Sequence, residues 1–382
     1  MINNIQKSPK PIQEPASSKA SAILEGDDAS DPDPSTSSSF PPTELNLLKI
    51  FEKVFRSHYQ SPQDVDFSDD CASFGLSQAQ ARVVVTSDAI IEGTHFDCAW
   101  DSYEEIGAQA AVVNLSDLAS CAAQPRALFW SLSLPPQLTL PQIEALATGF
   151  EMVASQYQVP VLGGNTAIRE GKLEIHVTAI GEAYPQVISR QGAQAHDLLY
   201  VTGELGSRAL GYLDPKLSTR QKRHQWRPHL EQAQQLRAWG KVTAMMDISD
   251  GLLLDAQRLA QLNQIHIDIN LASLPIDPEL QEHPLITKAA LSGGEDYILL
   301  FTAPPDAQVP AEINAYCIGC CYPLHENQAF TNNTSNTEST RISNVESNSR
   351  QETTQQEKTQ VTVDGQYIQK LGHLYSLEGQ NS

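Results

Sequence analysis

Apolar residues in this 382-residue chain repeat with two periods, and the changes from one to the other mark out its elements. In TELNLLKIFEKVF, Leu45, Leu47, Leu48, Phe51 and Phe55 form a helical stripe behind Thr43, a capping residue. ARVVVTSDAI then reads as a strand and YEEIGAQAAVVNLSDLASCAA as a long helix. LFWSLSLPP alternates as a strand, and IEALATGFEMVASQY returns to helical spacing. The strands VPVLGG and LEIHVTAIGEA follow. A second unit opens with the strand LLYVTG and the helix begun by GELGSRALGYL. It runs through residues 245–256, the strand IHIDINL and the turn SLPIDP to SGGEDYILLFTAP. Strands and helices mix without strict βαβ alternation, which predicts an α+β fold.

Two stretches break the pattern. Residues 1–43 are rich in Ser, Pro, Asp and Glu and bury too little apolar surface to offset ordering, so they read as a disordered acidic tail. Residues 326–358 are polar and low in complexity and read as a solvated insertion between the last strands. The expected domains are therefore 44–184, an N-terminal unit, and 185–382, a C-terminal unit carrying the insertion.

Composition narrows the function classes. Hydrophobic residues make up 40% of the chain, enough for a sizeable core, and the formal net charge is −21. That balance argues against a nucleic-acid or anionic-membrane partner, both of which need a basic face. Phosphate ligands stay open, because a bound metal can supply the positive charge. Six cysteines, at 71, 98, 121, 317, 320 and 321, form no disulfide ladder, and the one CxxC, Cys317 and Cys320, has no second pair to complete a zinc site. The polar N-terminus carries no signal core and no stretch is apolar enough to span a membrane, so a cytoplasmic location is expected.

Within that frame, MMDISDGLLLDA at 245–256 sets Asp247 and Asp250 around Ser249, against Leu252, Leu253 and Leu254. Ser249 or Asp250 can cap a helix there, with Gly251 easing the bend. The same carboxylates can also hold a cation at the mouth of a site. Other stretches repeat the theme: SDDCASF with Asp69 and Asp70, VVTSDAIIEGTHF with Asp88, and VVNLSDLAS with Asp117. A turn, a strand end and a cap or kink would account for each singly. A charge at Asp117, inside an apolar helix, is costly to bury without a partner. Several aspartates sharing one dry site need cations, and hard oxygen donors without a His or Cys cluster point to magnesium and a phosphorylated substrate. Neither a GxxxxGK[ST] loop nor a kinase catalytic loop is present; LGGN and SGGED read as short Gly-Gly turns able to approach phosphate.

Taken in order, SDDCA, VVTSDAIIEGTHF, NLSDLAS, LGGNT, SRQGAQAHD, VTGELG, DISDGLLLD and SGGEDY resemble the thiamine-monophosphate kinases of the aminoimidazole ribonucleotide synthetase-like superfamily, over about 45–325. The resemblance implies transfer of the ATP γ-phosphoryl group to thiamine monophosphate. It also implies two α+β domains, the second an α/β sandwich, and a homodimer whose N-terminal sheets pair into a β-barrel, with ATP in the cleft between barrel and second domain. Carried over by position, Asp70, Asp88, Asp117, Asp247 and Asp250 look like magnesium ligands, with Thr86 and Ser87 beside Asp88. Gly163, Gly164, Arg190 and Ser249 look like nucleotide contacts, and His95 and Glu295 like contacts to thiamine monophosphate. No protein nucleophile is implied, since alignment and charge stabilisation carry phosphoryl transfer.

The chain departs from the family in three places. Asn165 stands where the family has the Asp of GGD; it keeps a carbonyl ligand, loses a charge, and predicts weaker magnesium binding. Ser68 replaces the glycine of GDD. The tryptophan that usually ends the family is absent from QYIQKLGHLYSL, leaving Tyr367 or Tyr375 to stack on the thiamine ring, with Tyr375 retained as the substrate-binding candidate. Two alternatives stay open: another enzyme of the superfamily, such as a selenophosphate synthetase-like one, and a non-catalytic nucleotide-binding relative.

Overall fold

The computed structural model describes residues 72–75, 81–214, 227–324 and 360–367, with the backbone alone for 72–75, Tyr212 and Tyr367. The expected Thr43 helix, the N-terminal tail, the insertion, Ser68, Asp69, Asp70 and Tyr375 lie outside these residues. Five strands form the first sheet: β1 (Ala72–Gly75), β2 (Arg82–Ile91), β3 (Gln124–Leu134), β4 (Val161–Ile168) and β5 (Glu174–Ala183). Their order is β1-β2-β5-β3-β4, antiparallel except for the β3–β4 pair. A parallel pair needs a crossover, and helix α2 (Leu140–Gln156) provides it.

Helix α1 (Tyr103–Ser120) and α2 cover one face of this sheet, with α1 against β2 and β5. Val84, Thr86, Ile90, Ile175, Val177 and Ala179 are buried beneath the helices. The opposite face carries exposed Ser87, His176 and Asn165 beside half-buried Val85, Ala89 and Ile91, and has no covering layer among the described residues. The period of two is therefore kept with a buried and an open side. The two helices approach closely where each has a glycine. A Cβ on Gly107 would sit 1.9 Å from the Leu146 carbonyl oxygen, and one on Gly149 would sit 1.8 Å from that of Glu104.

The second sheet contains β6 (Leu198–Val201), β7 (Ala244–Asp247), β8 (Ile265–Ile269), β9 (Leu299–Ala303), β10 (Tyr316–Pro323), β11 (Val361–Val363) and β12 (Gln366–Tyr367), in the order β12-β11-β8-β10-β6-β9-β7. Around it lie α3 (Ser207–Leu213), α4 (Leu230–Trp239), α5 (Leu252–Asn263) and α6 (Ile286–Ser292). Alternate residues of its central strands face two cores. Tyr200, Met245, Leu299 and Phe301 join the core that contains α1, while Leu199, Val201, Met246 and Leu300 pack in the core that contains α5 residues. Helix α1 is thus enclosed between the two sheets, which explains why it is apolar nearly all round. Its start is fixed by a capping box between Ser102 and Glu105.

The α+β reading holds, as a two-domain arrangement. Among the described residues neither sheet closes into a barrel. LGGN departs from expectation: Gly163, Gly164 and Asn165 are extended in edge strand β4, not a turn. Glycine serves close approach there, since a Cβ on Gly164 (φ +153°) would lie 1.6 Å from the Trp130 carbonyl oxygen. Strand β10 carries Cys317, Cys320 and Cys321 as free thiols. Among the described residues no helix is long and apolar enough to cross a membrane.

Candidate active site

Three elements converge beside the C-terminal half of α1. Strand β2 brings Thr86 and Asp88, which share its helix-facing side; α1 brings Asn114, Ser116 and Asp117; the end of β7 brings Asp247. Thr86 Oγ1 donates to Asp117 Oδ2, and the Asp88 N–H donates to Asn114 Oδ1 at 3.2 Å. Ser116 Oγ donates to Asp247 Oδ2 at 2.5 Å, joining segments 131 residues apart. The other oxygen, Asp247 Oδ1, is buried with no hydrogen-bond partner among the described residues, and the residue is 1% exposed. Burial pushes the Asp247 carboxyl above its ordinary range, against the Ser116 hydrogen bond and the Arg190 charge, and Asp250 pushes it further.

Asp88 opens to solvent on one side, but the protein packed around its other sides raises its carboxyl as well. The Ala89 N–H and the charge of His95 oppose that rise, and Asp250 adds to it.

Beyond β7 the chain turns into α5 at Gly251, whose φ is +110°. A Cβ there would meet the Gly293 carbonyl oxygen at 2.9 Å, so glycine is required by both conformation and space. The helix start is capped by neither Ser249 nor Asp250, as the sequence had suggested. Asp255, from inside the first turn, accepts the N–H groups of Asp250 and Gly251 at 3.0 and 3.1 Å. Asp255 is fully buried, and its carboxyl is pushed up to about 7 by burial and by Asp250, with Arg258 opposing. Arg258 pairs with both Asp250 and Asp255. The Asp255 role was legible in principle, because the carboxylate closes DISDGLLLD.

Arg190 lies close enough to Asp247 and Asp255 for its charge to favour their ionised forms. Its segment is anchored by Asn263, at the end of α5, which donates to the Arg190 carbonyl and accepts the N–H groups of Gly192 and Ala193.

A second cluster forms farther along α1, toward its N-terminal half. Gln109 Nε2 donates to the His95 carbonyl at 3.4 Å and to Glu295 Oε1 at 3.0 Å. Arg208, from α3, donates from Nε to Glu295 Oε2 at 2.8 Å, and its Nη2 lies 2.7 Å from the same oxygen. His95 and Glu295, distant in sequence, are therefore brought together. The two clusters are linked by the Glu295 N–H, which donates to the Ser249 carbonyl at 2.7 Å. Gln109 and Arg208 escaped sequence reading; the available signal was a polar residue in GAQAAVV and a charge in SRALGYL.

Other sequence candidates stand apart. Ser87 points to the open face of the sheet, where its hydroxyl meets the Val177 carbonyl and Thr178 Oγ1. Gly164 aligns with Asp88 across the sheet through Trp130 and Val177, three strand spacings away, about 14 Å at ~4.8 Å per strand. Asn165, one residue on, faces the opposite side of the sheet. Within one chain Gly163, Gly164 and Asn165 are thus not brought to the aspartates. Among the described residues no three His, Cys, Asp or Glu side chains form a ready metal cage. The unpartnered Asp247 Oδ1 and the all-oxygen donor set nevertheless fit a hard divalent cation.

Residues 68–183 match the family described as AIR synthase related protein, N-terminal domain, and residues 194–321 match AIR synthase related protein, C-terminal domain. The chain is 32% identical over 260 residues to the thiamine-monophosphate kinase of Bacillus subtilis (strain 168), covering 65% of this chain and 80% of that relative. Identity to the thiamine-monophosphate kinase of Haemophilus influenzae (strain ATCC 51907 / DSM 11121 / KW20 / Rd) is 32% over 286 residues, 71% of this chain and 84% of that one. The solved structure of AaThiL complexed with AMPPCP and TMP superposes with a TM-score of 0.69 at 26% identity, covering 88% of this chain and 99% of that chain. With both halves matched in order and the carboxylate motifs gathered against one helix, the chain belongs to the thiamine-monophosphate kinase family of AIR synthase-related proteins.

Proposed function

We infer that this protein transfers the γ-phosphoryl group of ATP to the phosphate of thiamine monophosphate, in thiamine diphosphate biosynthesis. The bond between the γ-phosphorus and the β,γ-bridging oxygen breaks and a new P–O bond forms to an acceptor phosphate oxygen, giving thiamine diphosphate and ADP. The observation that carries this reading is the Ser116–Asp247 hydrogen bond, which unites two motifs of the family's ordered set at one buried point. No protein nucleophile is required, because the acceptor phosphate attacks directly and the protein aligns and neutralises.

Asp88, Asp117, Asp247 and Asp250 would hold magnesium, with Asp70 from outside the described residues and Thr86 in support. Bound magnesium supplies positive charge that offsets the repulsion between donor and acceptor phosphates. Arg190 contributes a fixed charge to the nucleotide phosphates from its place beside Asp247. Engagement of Asp250 requires its pairing with Arg258 to open or be shared. His95 and Glu295 seat the thiamine end of the acceptor, and the Ser249–Glu295 backbone bond keeps the two ends of the cleft in register.

We also propose that 44–184 and 185–382 are the two domains, and that two copies appose the open face of their first sheets to complete a barrel. That face leaves Ser87, His176 and Asn165 exposed. The free thiols of Cys98, Cys121, Cys317, Cys320 and Cys321 fit a reducing cytoplasm. Phosphorus NMR with ATP, magnesium and thiamine monophosphate tests the reaction. The diphosphate and ADP should appear together, and only when acceptor and magnesium are both present. ATP binding without turnover, or ADP without the diphosphate, would refute it.

A further inference from the structure

Glu295 occupies an unusual position for a carboxylate. Its backbone is left-handed, with φ +67°, and Tyr297 follows at φ +51°. Such backbone is costly for residues with side chains and persists only where the surroundings hold it. Here both carboxylate oxygens are held. Oε1 takes the Gln109 Nε2 hydrogen bond at 3.0 Å, and Oε2 takes the fork of Arg208, Nε at 2.8 Å and Nη2 at 2.7 Å.

Neither holder has the exposure of a surface residue: Gln109 is 2% exposed and Arg208 is 4%. The Arg208 guanidinium lies 5.7 Å from the centre of the Tyr297 ring, so the same cation braces both strained residues. Gln109 also reaches the His95 carbonyl with the nitrogen that binds Glu295. A buried arginine is expensive unless its partner is fixed opposite it, and two guanidinium nitrogens hold the one oxygen from fixed directions as a lysine cannot, while Gln109 holds the other.

We propose that Arg208 and Gln109 are positioning residues for the acceptor. They fix the Glu295 carboxylate, and through Gln109 the His95 turn, in the geometry that selects the thiamine end of thiamine monophosphate. This rests on the reading of His95 and Glu295 as acceptor contacts. Arg208 and Gln109 act through Glu295 and not on the phosphates, so their effect falls on one substrate. A brace serving stability alone would lower the fraction of active enzyme, and with it apparent kcat, while leaving both KM values in place.

The test is steady-state kinetics of full-length Arg208→Lys, Gln109→Leu and Glu295→Gln, varying ATP and thiamine monophosphate separately, with melting temperature recorded for each. Arg208→Lys keeps the charge but loses the fork. It is expected to raise KM for thiamine monophosphate about tenfold while KM for ATP and kcat stay within about twofold. Gln109→Leu should do the same to a smaller degree, and it carries the test if Arg208→Lys fails to fold. Adding Arg208→Lys to Glu295→Gln should raise that KM by less than about twofold more, because the two act as one unit. If Glu295→Gln raises KM for the acceptor but Arg208→Lys and Gln109→Leu do not, the positioning role is wrong and the acceptor contact stands. If Glu295→Gln leaves that KM unchanged, the acceptor contact itself falls, and the positioning role with it. Unchanged KM values with apparent kcat falling alongside melting temperature would reduce the pair to a structural brace.

Discussion

Helix α1 reaches one carboxylate from each of its halves, Glu295 through Gln109 and Asp247 through Ser116, and the two are supplied with donors on opposite terms. At Glu295 both oxygens are bound by protein, from Gln109 and Arg208. At Asp247 one oxygen is bound by Ser116 and the other has no partner although the residue is buried. A saturated carboxylate is a fixed feature of the pocket wall, suited to orienting an organic substrate. A buried carboxylate short of donors is costly as it stands and gains most from a cation. The same residue class is thus assigned two tasks by the donors that packing places around it.

The contrast should break most sharply at Asp247. Asp247→Asn is expected to lower kcat about a thousandfold, roughly 4 kcal/mol at about 1.4 per factor of ten, with melting temperature unchanged or raised in metal-free buffer because an unpaired buried charge is removed. A kcat loss below about tenfold would remove Asp247 from the metal site. Ser116→Ala sharpens the same point, since it removes the side-chain donor that Asp247 has among the described residues. A charge-assisted hydrogen bond is worth about 1.5–3 kcal/mol, so kcat should fall on the order of tenfold or more. An unaffected rate would show that the bond does not orient the carboxylate.

Next comes pH. Asp255, at about 7, and Asp88 and Asp247 all have carboxyls raised in the folded state. The folded protein therefore keeps protons the unfolded chain has already lost. These groups make metal-free protein less stable as pH rises from near 4 toward 7, with Asp255 levelling off above that. Magnesium should offset the loss. The gap in melting temperature between magnesium-saturated and chelator-treated protein should widen from pH 5 to pH 8. A gap independent of pH would contradict the assignment.

Much of this arrangement was legible from pattern. The length and apolarity of Tyr103–Ser120 marked a buried helix, and the alternation in β2 and β5 marked strands with one covered face. Asp88, Asp117 and Asp247 stood out because charges in apolar surroundings need a partner. What the sequence left unread depends on contacts across long separations. Gln109 and Arg208 look like minor interruptions of apolar helices until residue 295 arrives 186 and 87 positions later. The Gly163–Gly164 pair was misread because two glycines signal a turn locally, whereas here they let a strand lie close to Trp130. Ser87 was grouped with Asp88 by adjacency, whereas neighbours in a strand face opposite ways and its hydroxyl lies on the open face.

The smallest expected effect follows from that geometry. Asn165 stands away from the aspartates within the chain, so Asn165→Asp should lower the magnesium requirement only about two- to threefold, through one added charge. No change in either rate or magnesium dependence would mean the asparagine is irrelevant to metal binding.

The most direct measurement is a magnesium titration of thermal stability at pH 8 on wild type, Asp247→Asn and Glu295→Gln, in parallel. The account predicts a saturating rise in melting temperature for wild type and Glu295→Gln, and little or none for Asp247→Asn. A full rise in Asp247→Asn, or its loss in Glu295→Gln, would contradict the division of labour between the two carboxylates.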